Sequence, residues 1–138
     1  MQISIEKFQN SDAQRCIDIR VHCLKESNQT PKKIQRISEY FFSSLPERTY
    51  FVAKQGDLIV WRGCYKGNKI YGLFIDPIYQ GQWIWAILLD TLESEIKKLG
   101  YTEISLKANA RAKIFYERHG FICTQTETPN KNLMKKNI

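Results

Sequence analysis

The chain has 138 residues, of which 43% are hydrophobic and 25% are charged, the composition of one globular domain spanning residues 1–138. No apolar run approaches the roughly 20 residues of a membrane span, and the alternating N-terminus predicts a strand and not a signal peptide. We therefore expect a cytoplasmic protein with no membrane partner. The net charge of +7 suits anionic ligands, but the C-terminal lysines are too sparse for a nucleic-acid arm.

The first half of the chain predicts a strand, two helices and then three strands. A helix begins at Ser11, with Gln14 as its capping-box partner, and a second begins at Thr30 and Pro31 as N-cap and first helical residue. The predicted strands cover residues 2–8, 50–53, 58–65 and 69–75, and the last three are joined by glycine-containing turns.

In the second half, apolar residues recur at helical spacing over residues 82–99, and Gly100 ends that helix. A strand follows over residues 102–107, and Asn109 caps a short helix that ends near Gly120. Strands over residues 121–125 and 133–135 complete the chain. A helical crossover places the strands at 69–75 and 102–107 in parallel, so the fold class is α/β (α+β), with a mixed, mostly antiparallel sheet and helices on both faces.

Cysteine and histidine provide no further signal. The four cysteines form no Cys-x-x-Cys pair and lie near no histidine cluster, so we expect buried, reduced thiols and no metal site. We interpret His22 and His119 as surface or helix-end residues and not as catalytic bases.

Two motifs point to chemistry. An apolar strand over residues 70–75 leads through Gln80 and Gly81 into a helix, and such a junction binds anions through free backbone N–H groups and the helix dipole. It resembles the acyl-CoA diphosphate loop of the GNAT acetyltransferase family, Gln/Arg-x-x-Gly-x-Gly/Ala. The second motif, NARAKIFYERHGF at residues 109–121, is similar to that family's Asn-x-x-Ala-x-x-Phe-Tyr-Glu-x-x-Gly-Phe ending.

The resemblance implies acetyl-CoA as co-substrate and assigns the site residues. The strand-four backbone would hold the pantetheine arm, Asn109 would bond a pantetheine amide, and Tyr116 would protonate the departing CoA thiolate. Ala112 would be small where the cofactor passes, and Phe115 would pack inward. The pantetheine residues are Leu73, Phe74 and Ile75; the diphosphate residues are Gln80, Gly81, Gln82, Trp83, Ile84, Trp85 and Ala86.

The implied reaction is transfer of an acetyl group to an amine of a small molecule or protein by direct attack in a ternary complex, with the base unidentified. The acceptor pocket would lie between the first two helices and strands four and five. Polar candidates there, with no motif behind them, are Glu26, Glu39, Tyr40 and Tyr71. Dimers are frequent in this family, so the resemblance is compatible with a homodimer, but the sequence does not fix the oligomeric state.

Tryptophans break the family pattern. Trp61, Trp83 and Trp85 all occupy positions where the family has glycine, which lets a ligand approach the backbone closely. One explanation is a non-catalytic binding or regulatory domain that no longer binds CoA productively. The other is a UGA codon that some bacterial lineages read as glycine, translated here as Trp. In that case the natural protein is an ordinary acetyltransferase.

Overall fold

The structure, a computed structural model, describes residues 2–79 and 83–138. Short 3₁₀ turns lie at Asn10–Asp12, Glu26–Asn28 and Pro77–Tyr79. The main elements are, in chain order, β1 (Ile3–Lys7), α1 (Ala13–His22), α2 (Pro31–Ser44), β2 (Thr49–Gln55), β3 (Leu58–Lys66), β4 (Lys69–Ile70), β5 (Phe74–Ile75), α3 (Ile84–Lys98), β6 (Glu103–Ala108), α4 (Ala110–Arg118), β7 (Ile122–Thr128) and β8 (Lys131–Asn137).

These strands form a mixed sheet in the order β1-β2-β3-β4-β6-β8-β7, with β5 paired to β3 off this path. All pairs are antiparallel except β4 and β6, which run parallel at Lys69 and Ser105. The α/β class and the parallel crossover through α3 are confirmed. The last strand is longer than its predicted three residues, because β8 pairs with both β6 and β7.

Capping side chains fix most of the helix ends where the sequence predicts them. Thr30 Oγ1 accepts a 3.2 Å hydrogen bond from the Lys33 amide at the start of α2, and Gly100 follows α3 with φ at +97°. The prediction for α1 is wrong. A 3₁₀ turn precedes this helix, and the Gln9 amide donates to Asp12 Oδ2 at 2.9 Å, so Ser11 is not the cap.

Two apolar cores cover the two faces of the sheet. On one face α3 and α4 pack over a core that includes Trp61, Leu88 and Leu92. On the other, α1 and α2 pack over a core that includes Cys16 and Phe41. β3 contributes residues to both cores, Val60, Trp61 and Tyr65 to the first and Ile59 and Cys64 to the second, as expected of a strand buried on both faces. Within the described ranges, no helix is both long enough and apolar enough to cross a lipid bilayer.

The predicted fourth strand, residues 69–75, is broken in two. β4 pairs Ile70 with Tyr65 and β5 pairs Phe74 with Arg62, so three residues (71–73) lie opposite two (63–64) of β3. The extra residue makes a β-bulge, and a bulge bends its strand away from a neighbour. This bend separates β5 from β6.

Candidate functional site

The site is built around an open edge of the sheet. β4 touches β6 through Lys69 and Ser105, but β5 pairs only with β3, and no described strand covers its other edge. The Asp76 amide donates to the Val60 carbonyl at 3.0 Å and keeps the end of β5 against β3. The parallel strands therefore splay apart beyond Ile70, and backbone groups of residues 73–75 lie at the gap.

Tyr116 lies at this gap. Its side chain lines both of the clefts that meet there, one on each side of β5, and its ring packs edge-on against Phe121 at 5.4 Å. Burial raises the pKa of the Tyr116 phenol above its ordinary value of 10.0. The hydroxyl therefore keeps its proton at neutral pH and is available as a donor.

The start of α4 places two more predicted residues at the same gap. Asn109 Oδ1 accepts a 2.7 Å hydrogen bond from the Ala112 amide, so Asn109 is the predicted N-cap. Both residues line both clefts. Phe115 is not packed inward as predicted: it is 43% exposed, and the inward position at the end of this motif belongs to Phe121, at 3%.

The predicted diphosphate loop is described only in part. Gln80, Gly81 and Gln82 lie outside the described residues. Trp83 is the N-cap of α3 with φ −73° and ψ 3°, and its side chain is 55% exposed. The Ile84 side chain is fully buried. The Ala86 amide donates to the Trp83 carbonyl at 3.2 Å, so it is not free to bind an anion.

The first of the two clefts, here called the aromatic cleft, has a volume of about 630 Å³ and lies between β5, α3 and α4. Trp61 is fully buried in its floor. The Trp85 ring turns toward α4, with ring centres 4.5 Å from His119, 5.4 Å from Phe115 and 6.0 Å from Tyr116. The aromatic cleft is lined by Trp61, Phe74, Trp85, Phe115 and Tyr116, together with Arg20, Cys23, Leu73, Ile75, Asn109, Arg111 and Ala112.

The second cleft, here called the cationic cleft, also measures about 630 Å³ and lies between α1, α2, the bulge and the end of β6. No Asp or Glu of the described residues lines it. None of its seven cations makes an ion pair in the described part of the chain. These seven are Arg20, Lys33, Arg36, Arg48, Arg62, Lys69 and Lys107.

The predicted acceptor pocket coincides in place with the cationic cleft, but only half of its polar candidates line it. Tyr40 and Tyr71 do, and the Arg48 guanidinium binds both, through a 2.8 Å hydrogen bond to the Tyr40 hydroxyl and a position 4.0 Å from the centre of the Tyr71 ring. Glu26 and Glu39 are not among the residues that line it. The arginines that line this cleft carry no sequence motif and were not among the predicted site residues.

A buried carboxylate anchors the end of β5. Asp76 is 2% exposed and pairs with Arg15 of α1 at 2.8 Å, and His22 Nδ1 lies 3.5 Å away. Burial by itself would raise the pKa of Asp76, but hydrogen bonds from the Ile78 amide and Arg15 outweigh it and hold that pKa below its ordinary value of 3.8. The charged pair thus ties α1 to the strand that opens the gap.

The histidines and cysteines have mostly structural environments. His119 is the C-cap of α4 and its Nδ1 lies 3.0 Å from the Phe115 carbonyl oxygen. All four cysteines are free; Cys16 and Cys64 are buried as predicted, whereas Cys23 and Cys123 are partly exposed. The Cys23 thiol donates to the Ile75 carbonyl oxygen at 3.2 Å, beside the gap.

Comparison with known structures finds this fold repeatedly. One match is protein PH1933 of Pyrococcus horikoshii OT3, with a TM-score of 0.86 at 22% identity, over 99% of both chains. PaiA N-acetyltransferase of Thermoplasma acidophilum, solved in complex with coenzyme A, matches with a TM-score of 0.80 at 21% identity, over 100% of both chains. YncA of Salmonella typhimurium, solved with its cofactor acetyl-CoA, matches with a TM-score of 0.75 at 12% identity, over 99% of this chain and 94% of that one.

At such identities the structures show the shared fold alone, and a search of curated proteins gives no match. The sequence itself supplies the family. Residues 19–135 match the family model described as an acetyltransferase (GNAT) domain, which covers α2 to α4 and all strands but β1. The match supports acetyl transfer in general, and the chain belongs to the GNAT acetyltransferase family.

Proposed function

We propose that this protein transfers the acetyl group of acetyl-CoA to a primary amine. The observation that carries the proposal is that Tyr116 is among the residues that line both clefts beside β5, and its phenol stays protonated at neutral pH. A group shared by two clefts can act on a bond that forms between their occupants. Acetyl-CoA would occupy the aromatic cleft and the amine the cationic cleft.

The chain offers groups for acetyl-CoA along the aromatic cleft. Backbone groups at Leu73, Phe74 and Ile75 would hold the pantetheine arm as an added strand, because this edge has no described strand partner. Asn109 would bond a pantetheine amide with the amide group that remains after capping α4. The diphosphate would lie at the start of α3, on Gln80, Gly81, Gln82 and the amides of Trp83, Ile84 and Trp85.

In the proposed reaction the amine nitrogen bonds to the acetyl carbonyl carbon as the carbon–sulfur bond breaks, so no covalent enzyme intermediate forms. Backbone N–H groups near Phe74 would polarise the carbonyl. Tyr116 would give its proton to the departing sulfur, and the proton that the amine loses would return through water to the Tyr116 oxygen, which restores the phenol. Burial raises the pKa of Tyr116, and the same low-polarity surroundings would raise the pKa of the CoA thiol. Because both pKa values rise together, burial does not by itself oppose proton transfer from the phenol to the sulfur.

One observation favours a second function, a GNAT-like binding domain without catalysis. Trp85 stands where the family has glycine, and its ring lies against Tyr116 and His119 in the aromatic cleft. The indole narrows the side of the cleft that the cofactor would use. About 630 Å³ of the aromatic cleft nevertheless stays open, which favours weakened binding of acetyl-CoA over its complete loss.

Isothermal calorimetry with acetyl-CoA separates these functions. We expect Trp85→Gly to bind acetyl-CoA roughly 10- to 100-fold more tightly than the original chain, because one charge-assisted hydrogen bond regained is worth about 1.5–3 kcal/mol. Trp85→Ala, which preserves more helix propensity, should change affinity in the same direction. Trp83→Gly is the matched control, since its indole is exposed and makes none of the ring contacts of Trp85.

If neither the original chain nor Trp85→Gly binds acetyl-CoA, acetyl transfer is not the function. If both bind it but no acceptor releases free thiol, the binding-domain alternative is correct. Free thiol is detected with a chromogenic disulfide, and that readout is independent of the acceptor.

A further inference from the structure

Arg62 is an unusual residue for the centre of a sheet. It is the only charged residue between Ile59 and Tyr65 of β3, and only 5% of its surface is exposed. Its Nε has no hydrogen-bond partner among the described residues, and it joins no ion pair there. A buried charge without a partner is costly, so this guanidinium points to a ligand of opposite charge.

The surroundings of Arg62 hold it in place without neutralising it. Its guanidinium carbon lies 4.8 Å from the ring centre of Phe74, 5.3 Å from that of Phe41 and 5.9 Å from that of Tyr50. Aromatic faces attract a cation but offer it no hydrogen-bond acceptor. The guanidinium also lies beneath the bulge, since a Cβ built on Gly72 would stand 3.7 Å from its Nη1.

Further positively charged side chains line the cationic cleft near Arg62. Arg20 lies with its guanidinium carbon 4.6 Å from the ring centre of Phe74, and burial together with the nearby Arg62 lowers the pKa of Arg20 below its ordinary value. Arg48, in the loop before β2, and Lys69 of β4 lie 4.0 and 5.3 Å from the centre of the Tyr71 ring. Like charges gathered this closely repel one another, and an anion bound among them would relieve that repulsion.

We propose that the amine acceptor is an anion: a small primary amine that also carries a phosphate or a carboxylate group, which Arg62 binds with the help of Arg20 and Arg48. This inference rests on the proposed acetyl transfer and names its substrate class. Arginine suits the role because its planar fork matches both groups bidentately. Cationic acceptors such as polyamines would be repelled from the cleft.

The position of Arg62 in the sheet indicates that the anionic group it binds belongs to the acceptor and not to CoA. Arg62 projects toward α1 and α2, among Phe41 and Tyr50 of the core on that face. The start of α3, where the CoA diphosphate is proposed to bind, belongs to the opposite face with Trp61 and Leu88. Arg62 lines the cationic cleft only, whereas Arg20 is one of six residues that line both clefts and lies where the two meet.

Calorimetry without acetyl-CoA tests the site directly. The probes are two pairs that differ in one charged group: 2-aminoethyl phosphate against ethanolamine, and β-alanine against β-alaninamide. We expect 2-aminoethyl phosphate or β-alanine to bind at least tenfold more tightly than its counterpart without the anionic group. Whichever of the two binds more tightly identifies the phosphate or the carboxylate as the recognised group.

Arg62→Met removes the charge and keeps much of the side-chain volume, so it should weaken binding of that anion roughly 10- to 100-fold. Its thermal midpoint should equal or exceed that of the original chain, because a buried charge without a partner is removed. The matched control is Arg118→Met. Arg118 is exposed on α4 and lines neither cleft, and its replacement should leave anion binding unchanged.

Three results would overturn the inference: no preference in either pair for the member with the anionic group, equal loss of binding in both variants, or competitive displacement of the bound anion by CoA. The last would place the phosphates of CoA in the cationic cleft. Should Arg62→Met fail to fold, the probe pairs and the CoA competition on the original chain still decide. Failure of acetyl transfer itself would appear separately, as absent acetyl-CoA binding with anion binding intact.

Discussion

The aromatic cleft and the cationic cleft have the same volume and share six lining residues, but the residues that line only one of them differ in charge. The shared residues are Arg20, Leu73, Phe74, Asn109, Ala112 and Tyr116. In the aromatic cleft, indole and phenyl rings pack on one another. In the cationic cleft, side chains of one charge stand apart from any carboxylate. The aromatic side chains of the first cleft contact one another, whereas the cations of the second have no carboxylate partner among the described residues. An anionic ligand would supply that partner.

The two clefts contain two kinds of unusual residue, and the causes differ. Trp61 and Trp85 depart from the family pattern in a way that packing within the chain can explain, because each lies against other side chains of the described residues. Arg62 is a buried cation whose aromatic contacts supply no hydrogen-bond acceptor, and its Nε has no hydrogen-bond partner among the described residues. The cationic cleft is therefore the stronger indication of a ligand, although the sequence motifs point to the other.

The largest effect should follow from the residue that both clefts share. Tyr116→Phe removes only the hydroxyl, so we expect kcat to fall about 10²- to 10⁴-fold, the usual contribution of a general acid. Affinity for acetyl-CoA should stay within a factor of a few, since the ring contacts with Phe121 and Trp85 remain. Initial rates of thiol release, with calorimetry for binding, measure the two quantities.

The pH profile adds a check on this prediction. Because burial raises the pKa of Tyr116 above 10.0, its deprotonation should cause no loss of kcat as pH rises toward 10. An unchanged kcat in Tyr116→Phe would remove Tyr116 from the reaction and leave its hydroxyl a merely buried group. It would also break the link between the two clefts.

The floor of the aromatic cleft gives the next largest effect. Trp61→Gly removes a fully buried indole, and we expect a loss of about 3–5 kcal/mol in unfolding free energy, as for large-to-small changes in a core. Trp83→Gly, at an exposed indole on the N-cap of α3, should change the unfolding free energy by less than about 1 kcal/mol, because glycine is a favourable N-cap residue. Urea unfolding followed by far-UV circular dichroism compares the two variants.

This pair also tests the codon explanation. A core that evolved around glycine at position 61 would accommodate Trp61 with strain, so Trp61→Gly would then stabilise the protein. A TGG codon at positions 61, 83 and 85 of the DNA would exclude misread glycine codons independently.

Much of the fold was predictable because local signals agreed with it. Thr30 with Pro31, Asn109 and Gly100 mark helix ends by their own chemistry, and the apolar pattern marks the crossover helix. The break in the fourth strand was not predictable. It depends on the register with β3, where three residues oppose two, and a register is set by contacts between distant residues.

The candidate site divides in the same way. Asn109 and Tyr116 belong to a contiguous motif and were found from it, and their roles stay predictions. The sequence does contain an indication of Arg62, because it is the one charged residue within the apolar run IVWRGCY, and a charge in a buried strand points to a binding role. The other cations of the cleft come from α1, α2, the loop before β2, β4 and β6, and no sequence spacing brings together residues that only the fold makes neighbours.

The smallest predicted effect concerns the core beneath the cationic cleft. Burial raises the pKa of the Cys16 thiol from 9.0 to about 12, against the opposing influence of Arg62. The folded state therefore keeps a proton that the unfolded chain loses above pH 9, and stability falls as pH rises from 9 toward 12, by about 1 kcal/mol from this group at pH 10. Urea unfolding at pH 8, 9 and 10 measures the slope, and Cys16→Ala should flatten it by that amount whatever its cost in stability at pH 8. An identical slope in Cys16→Ala would mean that the thiol is not isolated from water, and that the core under the cationic cleft is looser than the one under the aromatic cleft.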